Sequence, residues 1–391
     1  MRRILGLGIG LIVWSAPVAA QQVELGGEVR PRFEMRSPDG FDQDSATEYT
    51  SMRTRLSLRA DLPRGVAAYV EFQDVRIWGE EGSTVEAMAD ALDLHQGWIE
   101  LGDAETGEIA VRAGRQELSY GEERLIGALD WAQQARSFDG ARVRFRPGPA
   151  GWVDSFAARL REDEVSEESG SLFGVYGGVD VVGRLEAYVI YNTGSVGEED
   201  LTDQYTVGGR WSGGAGPIDA RVEGAYQGGQ RRATDVSAYL LAVRAGAELG
   251  ETARAELWYD RLSGDEAPSA GDLKVFDTLF ATNHKFYGAM DLFTDIPRDT
   301  DGRGLQDVAL RTSWRPVATV RLGLDAHAFF YAASDGLESG HLGEELDLSA
   351  GWAYAPGVAL TGGLSWFTAG DGWTDPDQTM SWLFVMMDVA F

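Results

Sequence analysis

Apolar residues in this chain recur at every second position, over one segment after another. Leu56, Leu58, Ala60 and Leu62 alternate with Arg55, Ser57, Arg59 and Asp61. Val23, Leu25, Val29 and Phe33 alternate with Glu24, Glu28, Arg30, Arg32 and Glu34, and Ile218, Ala220, Val222 and Tyr226 alternate with Asp219, Arg221, Glu223 and Gln227. A period of two is that of a strand with one apolar and one charged face, whereas a helix repeats every ~3.6 residues. The body of the chain has no apolar run of the ~18 residues that a membrane-crossing helix needs. Alternation alone does not say whether the apolar face meets a protein core or lipid, since a soluble sandwich shows the same pattern.

Segment number and length separate those cases. Strands are predicted at about 23–36, 48–62, 65–78, 93–102, 107–116, 137–147, 151–163, 170–181, 182–193, 203–213, 216–228, 234–248, 251–263, 304–316, 317–332, 342–355, 356–368 and 378–391. That is an even number, eighteen, and most reach the ~9–11 residues of a tilted bilayer-crossing strand, against ~5–6 in soluble sheets. The connections are predicted to alternate strictly between short and long. Leu62-Pro63-Arg64-Gly65, Arg146-Pro147-Gly148-Pro149, Gly213-Gly214-Ala215-Gly216 and Tyr354-Ala355-Pro356-Gly357 are Gly- and Pro-rich turns, while 79–92, 116–137 and 263–303 are long, polar and acidic. The expected fold class is all-β: a transmembrane antiparallel up-and-down barrel of about 18 strands, with short periplasmic turns and long extracellular loops. So wide a barrel cannot be filled by wall side chains alone, and a water-filled lumen is expected.

The two chain ends agree. Arg2 and Arg3 precede an apolar stretch from Ile4 to Trp14 and then Pro17-Val18-Ala19-Ala20. This order reads as a secretory signal over 1–20, cut ahead of Gln21, with an anchor helix as the alternative. Residues 21–391 are then expected to form one barrel domain in the cell outer membrane of a Gram-negative type envelope. Counting back by twos from Phe391 gives Val389, Met387, Val385 and Leu383, an apolar terminal strand of the kind that barrel assembly machinery reads. Trp98, Tyr191, Trp211, Trp314, Trp352, Tyr354 and Trp366 are expected to form interfacial girdles.

Charge narrows what such a lumen could pass. The chain carries 62 acidic and 34 basic side chains, a net charge of −28, which argues against nucleic acid as a partner. All basic residues except Lys274 and Lys285 are arginine. Arginine stays charged and grips carboxylates with a planar fork. By alternation Arg30, Arg32, Arg53, Arg55, Arg59, Arg112, Arg142, Arg144, Arg221, Arg254 and Arg311 point inward, as do Glu28, Glu34, Glu71, Glu100, Glu186, Glu223 and Glu256. These charges either form a filter or pair across neighbouring strands. The 116–137 connection, with Gly121, Arg124, Gly127, Asp130 and Trp131, exceeds the ~12–15 residues of ordinary loops and is expected to fold into the barrel mouth. The other reading is an extracellular cap held by Arg–Asp pairs.

Two stretches go beyond composition: Arg112-Ala-Gly-Arg-Gln116-Glu-Leu-Ser-Tyr-Gly121-Glu-Glu-Arg124-Leu-Ile-Gly-Ala-Leu-Asp130-Trp131 with Arg136-Ser-Phe-Asp-Gly-Ala-Arg142, and Leu279-Phe-Ala-Thr-Asn-His-Lys-Phe-Tyr-Gly288 with Asp291-Leu-Phe293. With the eighteen-segment rhythm, they resemble the alginate-export family of outer-membrane barrels, and Gly114 to Gly140 carries most of the likeness. The resemblance implies a monomeric barrel with an arginine-rich constriction for an anionic uronate polymer. It implies that Arg115, Arg124, Asp130, Arg136, Asp139 and Arg142 belong to the family motif, and that Arg53 and Arg55 lie in its basic second strand. With Arg144 and Arg311 from the alternation, these are the candidate pore-lining and constriction residues. Asn283-His284-Lys285 matches a long-loop motif to which no role is assigned. The chain is short for a dedicated alginate exporter, so a general or anion-preferring porin stays open, as does a nonconducting adhesin or anchor.

The partners so implied are an anionic polysaccharide or small anionic solute, outer-membrane lipid and lipopolysaccharide, and the assembly machinery; periplasmic export partners are left open. No enzyme is expected: Gly-x-Ser-x-Gly, His-Glu-x-x-His and a phosphate loop are all missing. His95, His284, His327 and His341 lack metal-ligand spacing, and no cofactor or metal is expected. Asp299-Thr-Asp301-Gly302 resembles half a calcium loop without its twelfth-position glutamate. The chain has no cysteine for thiol or disulfide chemistry.

Overall fold

The computed structural model describes residues 22–38, 46–80, 92–163, 168–197, 199–266, 271–376 and 378–391. The expected leader over 1–20 and parts of the acidic outer loops lie outside the described residues. The first six strands are β1 (Gln22–Ser37), β2 (Thr47–Leu62), β3 (Val66–Ile77), β4 (Asp93–Leu101), β5 (Ile109–Gln116) and β6 (Phe138–Gly148). Next come β7 (Gly151–Asp163), β8 (Glu168–Val181), β9 (Gly183–Val196), β10 (Glu199–Ala215), β11 (Ile218–Arg231) and β12 (Thr234–Leu249). The last are β13 (Ala253–Leu262), β14 (Leu305–Val317), β15 (Val320–Tyr331), β16 (His341–Ala355), β17 (Val358–Ala369) and β18 (Thr379–Ala390).

Each strand pairs antiparallel with its sequence neighbours, and β1 pairs with both β2 and β18, so the 18-stranded sheet closes on itself. Closure leaves no edge, the condition for a sheet to stand in hydrocarbon where unpaired N–H and C=O groups find no water. At the seam Gly27 and Phe391 exchange backbone hydrogen bonds of 2.8 and 3.0 Å.

The predicted alternation fixes the inside and the outside. Leu56, Ile99, Val143, Val207, Leu241, Leu257, Leu310 and Leu346 are exposed on the outer face, while Arg53, Asp154, Glu223, Asp260, Asp307 and Glu345 are buried within. Such an inside-out distribution is stable only when the outer face meets lipid. Six of the seven predicted girdle aromatics lie on outward positions, but Trp98 points inward beneath the Arg112 guanidinium, 3.7 Å from its ring centre. Parity decides this: Trp98 shares its face of β4 with buried Glu100.

The connections do not alternate strictly. Turns 63–65, 149–150, 216–217, 318–319 and 356–357 are short as expected, and 78–92, 117–137 and 263–304 are long. On the long-loop end, however, β9–β10 and β11–β12 are joined by only 197–198 and 232–233. There the ladders run on, with Glu199 opposite Val196 and Thr234 opposite Arg231, so residues expected in loops are held by backbone hydrogen bonds.

The lumen is partly filled. Leu125, Ile126, Phe276, Phe286, Tyr287, Met290 and Phe293 from the two longest connections pack against the inward rings of Tyr176, Tyr188, Trp258, Phe329, Phe367 and Trp382. Glycines let those wall rings lie flat: a Cβ at Gly174 or Gly208 would collide with the ring of Phe156 or Tyr188. One prediction tests the lipid-facing assignment. Val207 lies near the middle of β10 on the outer face, and Val207→Arg is expected to cost about 2–4 kcal/mol, the midplane value for arginine on a barrel's lipid face, in a urea titration of protein folded in vesicles.

Candidate functional site

The connection between β5 and β6, 117–137, turns inward at once. Its first bend is closed by Tyr120 N–H donating to the Ile126 carbonyl at 3.1 Å. Gly121, Glu122 and Glu123 all take positive φ (52°, 63° and 71°). Left-handed backbone is uncommon for glutamate, and it persists where surrounding contacts over-determine it. Those contacts come from the β13–β14 connection. Phe280 N–H donates to the Leu125 carbonyl, Gly127 N–H to the Phe280 carbonyl and Thr282 N–H to the Glu123 carbonyl, each at 2.9 Å. Arg136 adds guanidinium bonds to the carbonyls of Gly127, Phe280 and Ala281. The two connections thus form one crossbar inside the barrel.

Both ends of the crossbar place a carboxylate among three wall arginines. On the β1–β2 side Asp130 lies 2.9 Å from Arg53, 3.3 Å from Arg30 and 3.4 Å from Arg55. Arg53 also grips Glu28 at 2.7 and 2.9 Å, and Arg30 and Arg55 are braced by Gln133 at 3.1 Å and Gln73 at 2.8 Å. These guanidinium groups are buried, whereas the Asp130 side chain is 58% exposed. On the β10–β12 side Glu122 meets Arg210 at 3.2 Å, Arg244 at 2.7 Å and Arg221. Next to it Arg124 is fully buried, bonded to Asp260 at 2.6 Å and to the Tyr287 hydroxyl at 3.0 Å, with its guanidinium over the Phe286 ring.

Partial desolvation alone would raise both crossbar carboxyls. Arg53, Arg30 and Arg55 outweigh it at Asp130, and Arg244, Arg210 and Arg221 at Glu122, so both stand below the ordinary carboxylate range. Glu123 is lowered likewise: burial opposes, but Lys285 at 2.7 Å, Ser119 and Thr282 prevail.

The second connection is anchored independently. Glu345 accepts the Met290 N–H at 2.8 Å, Asp347 accepts that of Ala289 at 3.3 Å, and Arg36 donates to the Met290 carbonyl at 2.7 Å. His284 stacks on Trp131 with ring centres 4.0 Å apart and planes 4° from parallel. The Asn283-His284-Lys285 segment therefore joins the two connections.

The candidate residues divide into five groups. Arg53, Arg55 and Asp130 meet in one cluster, as do Arg142 and Arg144 in another, where Arg144 holds both oxygens of Asp154 at 2.6 Å and Arg142 lies 3.7 Å from Glu100. Arg311 on β14 is paired with Asp325 at 2.5 Å and donates to the Lys285 carbonyl of the second connection at 2.8 Å. Arg124 and Arg136 are anchors of the crossbar, Arg124 buried and Arg136 half-buried against the carbonyls it bonds. Arg115 and Asp139 are corrections: they pair with each other at 2.8 Å on the outward parity of β5 and β6, shared with Ala113 and Ala141, at the strand ends next to the long connection. The motif reading ignored the pleat. Sequence reasoning also missed Glu122, Arg210 and Arg244 as a set; alternation exposes the wall arginines singly, but their sharing of Glu122 depends on how the crossbar lies.

Among the described residues one trio has metal-ligand character, Glu71, His95 and Glu117, whose ligand atoms lie within 4.8 Å of one another. Arg55 sits 3.0 Å from His95 Nε2 and already supplies the positive charge there, so the trio is a poor cation site.

The lowered carboxyls give a pH prediction. A group lowered in the folded state stabilises the crossbar fully above its ordinary range and loses that contribution as pH falls through the lowered value. Single-channel current noise is therefore expected to stay constant from pH 7 to about 4.5 and to rise only below about 4. Asp130→Asn, which cuts one latch, is expected to raise the noise already at pH 7.

Comparison with known proteins places this geometry. The profile of the alginate-export family matches residues 21–383. Among solved structures, OpdO of Pseudomonas aeruginosa is similar with a TM-score of 0.67 at 12% identity, covering 94% of this chain and 97% of that one. A BenF-like porin from Pseudomonas fluorescens Pf-5 is similar at 0.65 and 12%, covering 94% and 98%, and OccAB4 of Acinetobacter baumannii at 0.61 and 11%, covering 94% and 98%. At such identities the likeness concerns the fold. A comparison with curated proteins finds no match. The family match over nearly the whole length, on a closed cylinder with an apolar exterior and a charged interior, means that the chain belongs to the alginate-export family and is an outer-membrane channel.

Proposed function

We propose that the channel passes an anionic saccharide, alginate or a related polyuronate, by diffusion past an arginine-lined constriction. The observation that carries this reading is the repeated arrangement at the crossbar: three wall arginines closing on one carboxylate, once at Asp130 and once at Glu122. A wall that twice builds the same carboxylate environment offers an anionic solute a favourable place at each side of the lumen. Arginine, with its fixed fork and weak hydration, can exchange one carboxylate for another with little rearrangement. Transport in this reading is passive, the barrel acting alone as a monomer.

A second reading, an anion-preferring porin for small solutes, is favoured by a different observation. The crossbar is bonded to the wall through Asp130, Glu122, Arg124 and Met290, which fixes it across the lumen as an obstruction. Under this reading monomeric or short anions pass and a long polymer does not.

The reversal potential of single channels under a salt gradient tests the shared part. A chloride-over-potassium preference is expected. Arg55→Glu, which turns the charge beside Asp130, and Arg142→Glu, beside Glu100 and Asp154, are each expected to lower that ratio severalfold. Cation preference in the unaltered channel would overturn the proposal, and unchanged selectivity in both variants would remove these two residues from the filter. Current block by oligouronates of rising length separates the two readings.

A further inference from the structure

A cavity lies between the crossbar and the wall of β14 to β18, and of the candidate pore residues only Arg311 lines it. Its volume is about 760 Å³, inside the ~300–1,000 Å³ of small-molecule sites. The ladder registers explain why space opens there. Ser313 stands opposite Gly323, Gly323 opposite Ser349, Ser349 opposite Gly363, and Gly363 opposite Phe384. Four adjacent inward positions at one level thus carry no more than a hydroxymethyl group, ending at an aromatic ring. One step toward the long loops runs the row Arg311, Asp325, Asp347 and Ser365, and one step toward the short turns stands Arg321. Gly351, opposite Arg321, leaves the space above it open: a Cβ there would meet nothing within 4 Å.

The cations on this cavity are not equivalent. Lys285 is committed to Glu123 at 2.7 Å and Arg311 to Asp325 at 2.5 Å. His284 faces Asp291 at 2.8 Å and His327 faces Asp307 at 3.0 Å. Arg321 is exposed and has no ion pair or side-chain hydrogen bond among the described residues. A second cavity of about 350 Å³ shares Arg321, Arg311, Asp325 and Ser349 and extends toward Trp258, so Arg321 stands where the two spaces join.

We propose that this cavity is a docking site for one uronate-type ring, a carboxylate bearing several hydroxyls, with Arg321 holding the carboxylate. One uncommitted guanidinium suits one carboxylate. Asp325, Asp347, Ser349 and Ser365 offer acceptors for hydroxyl groups and would repel a phosphate or a second carboxylate at the same place. The Phe384 ring, which lies over Gly363, lines one end of the cavity as an apolar surface for the C–H side of a sugar. This deepens the anionic-saccharide reading and rests on it.

The test is block of single-channel current by sodium glucuronate, with glucose as the uncharged ring, added from the short-turn side of a planar bilayer. In the unaltered channel glucuronate is expected to half-block at roughly a tenfold lower concentration than glucose, the ratio a charge-assisted bond supplies. Arg321→Gln removes a side chain that holds nothing else in the barrel, and it is expected to abolish that ratio while leaving glucose block unchanged. Ser349→Phe, which fills the cavity, is expected to weaken block by both. Glucuronate block unchanged in Arg321→Gln, or unchanged in Ser349→Phe, overturns the site. The unaltered channel's reversal potential is measured in the same bilayers, so an anion-selective channel with unaltered block in the variants removes this site and leaves the anionic-saccharide reading standing.

Discussion

Every other feature of this molecule depends on one constraint: in hydrocarbon no backbone N–H or C=O can go unpaired, so the sheet must close. The seam of β1 with β18 achieves that, and closure then sorts the side chains. With an apolar exterior, all charge in the strands has to face a space of limited width. Charges brought together in this way must be compensated, because an unpaired ion in a confined low-dielectric wall is costly while a paired one is tolerable. The dense network of arginines with Glu28, Glu100, Asp154, Glu186, Glu223 and Asp260 inside the barrel follows from that requirement before any function is considered.

The crossbar uses the same chemistry. Segment 117–137 brings two acids to walls that already hold a surplus of guanidinium, and the attraction fixes its ends while three backbone hydrogen bonds to the second long connection fix its middle. Left-handed backbone at Glu122 and Glu123 is the local cost, accepted because a carboxylate directed at three arginines offsets it. Arginine is suited to this arrangement by its five donors, which let Arg53 serve Glu28 and Asp130 together. Asp130 and Glu122 therefore hold the crossbar in place, whereas Arg321 has no ion pair or side-chain hydrogen bond among the described residues.

The fold was largely legible. A strict period of two, segments long enough to cross a bilayer, and Gly-Pro turns specify strand number, topology and which face is wet, because side-chain direction in a strand is set by the pleat alone. Errors arose where something other than the pleat decided. Trp98 has the composition of a girdle residue and the parity of a lumen residue, and parity prevailed. Arg115 and Asp139 match a motif but fall on the outward parity at the rim. The turns at 197–198 and 232–233 are shorter than expected because polar segments can extend a ladder as readily as form a loop once a neighbouring strand is there to pair with.

The site was legible only in part. Arg53, Arg55 and Arg311 could be assigned to the lumen one by one, and the length and composition of 117–137 marked it as a segment that folds inward. The sequence by itself determined the cylinder, its lipid-facing skin, its arginine-rich interior and its family likeness, all of which follow from local periodicity and short motifs. Only the tertiary structure decided which arginines act together: that Arg30, Arg53 and Arg55 share Asp130, that Arg210, Arg221 and Arg244 share Glu122, and that Gly323, Ser349 and Gly363 line up to open a cavity beside Arg321. The physical reason is that height in a barrel is set by the stagger of strands around the whole ring, a quantity no single strand encodes.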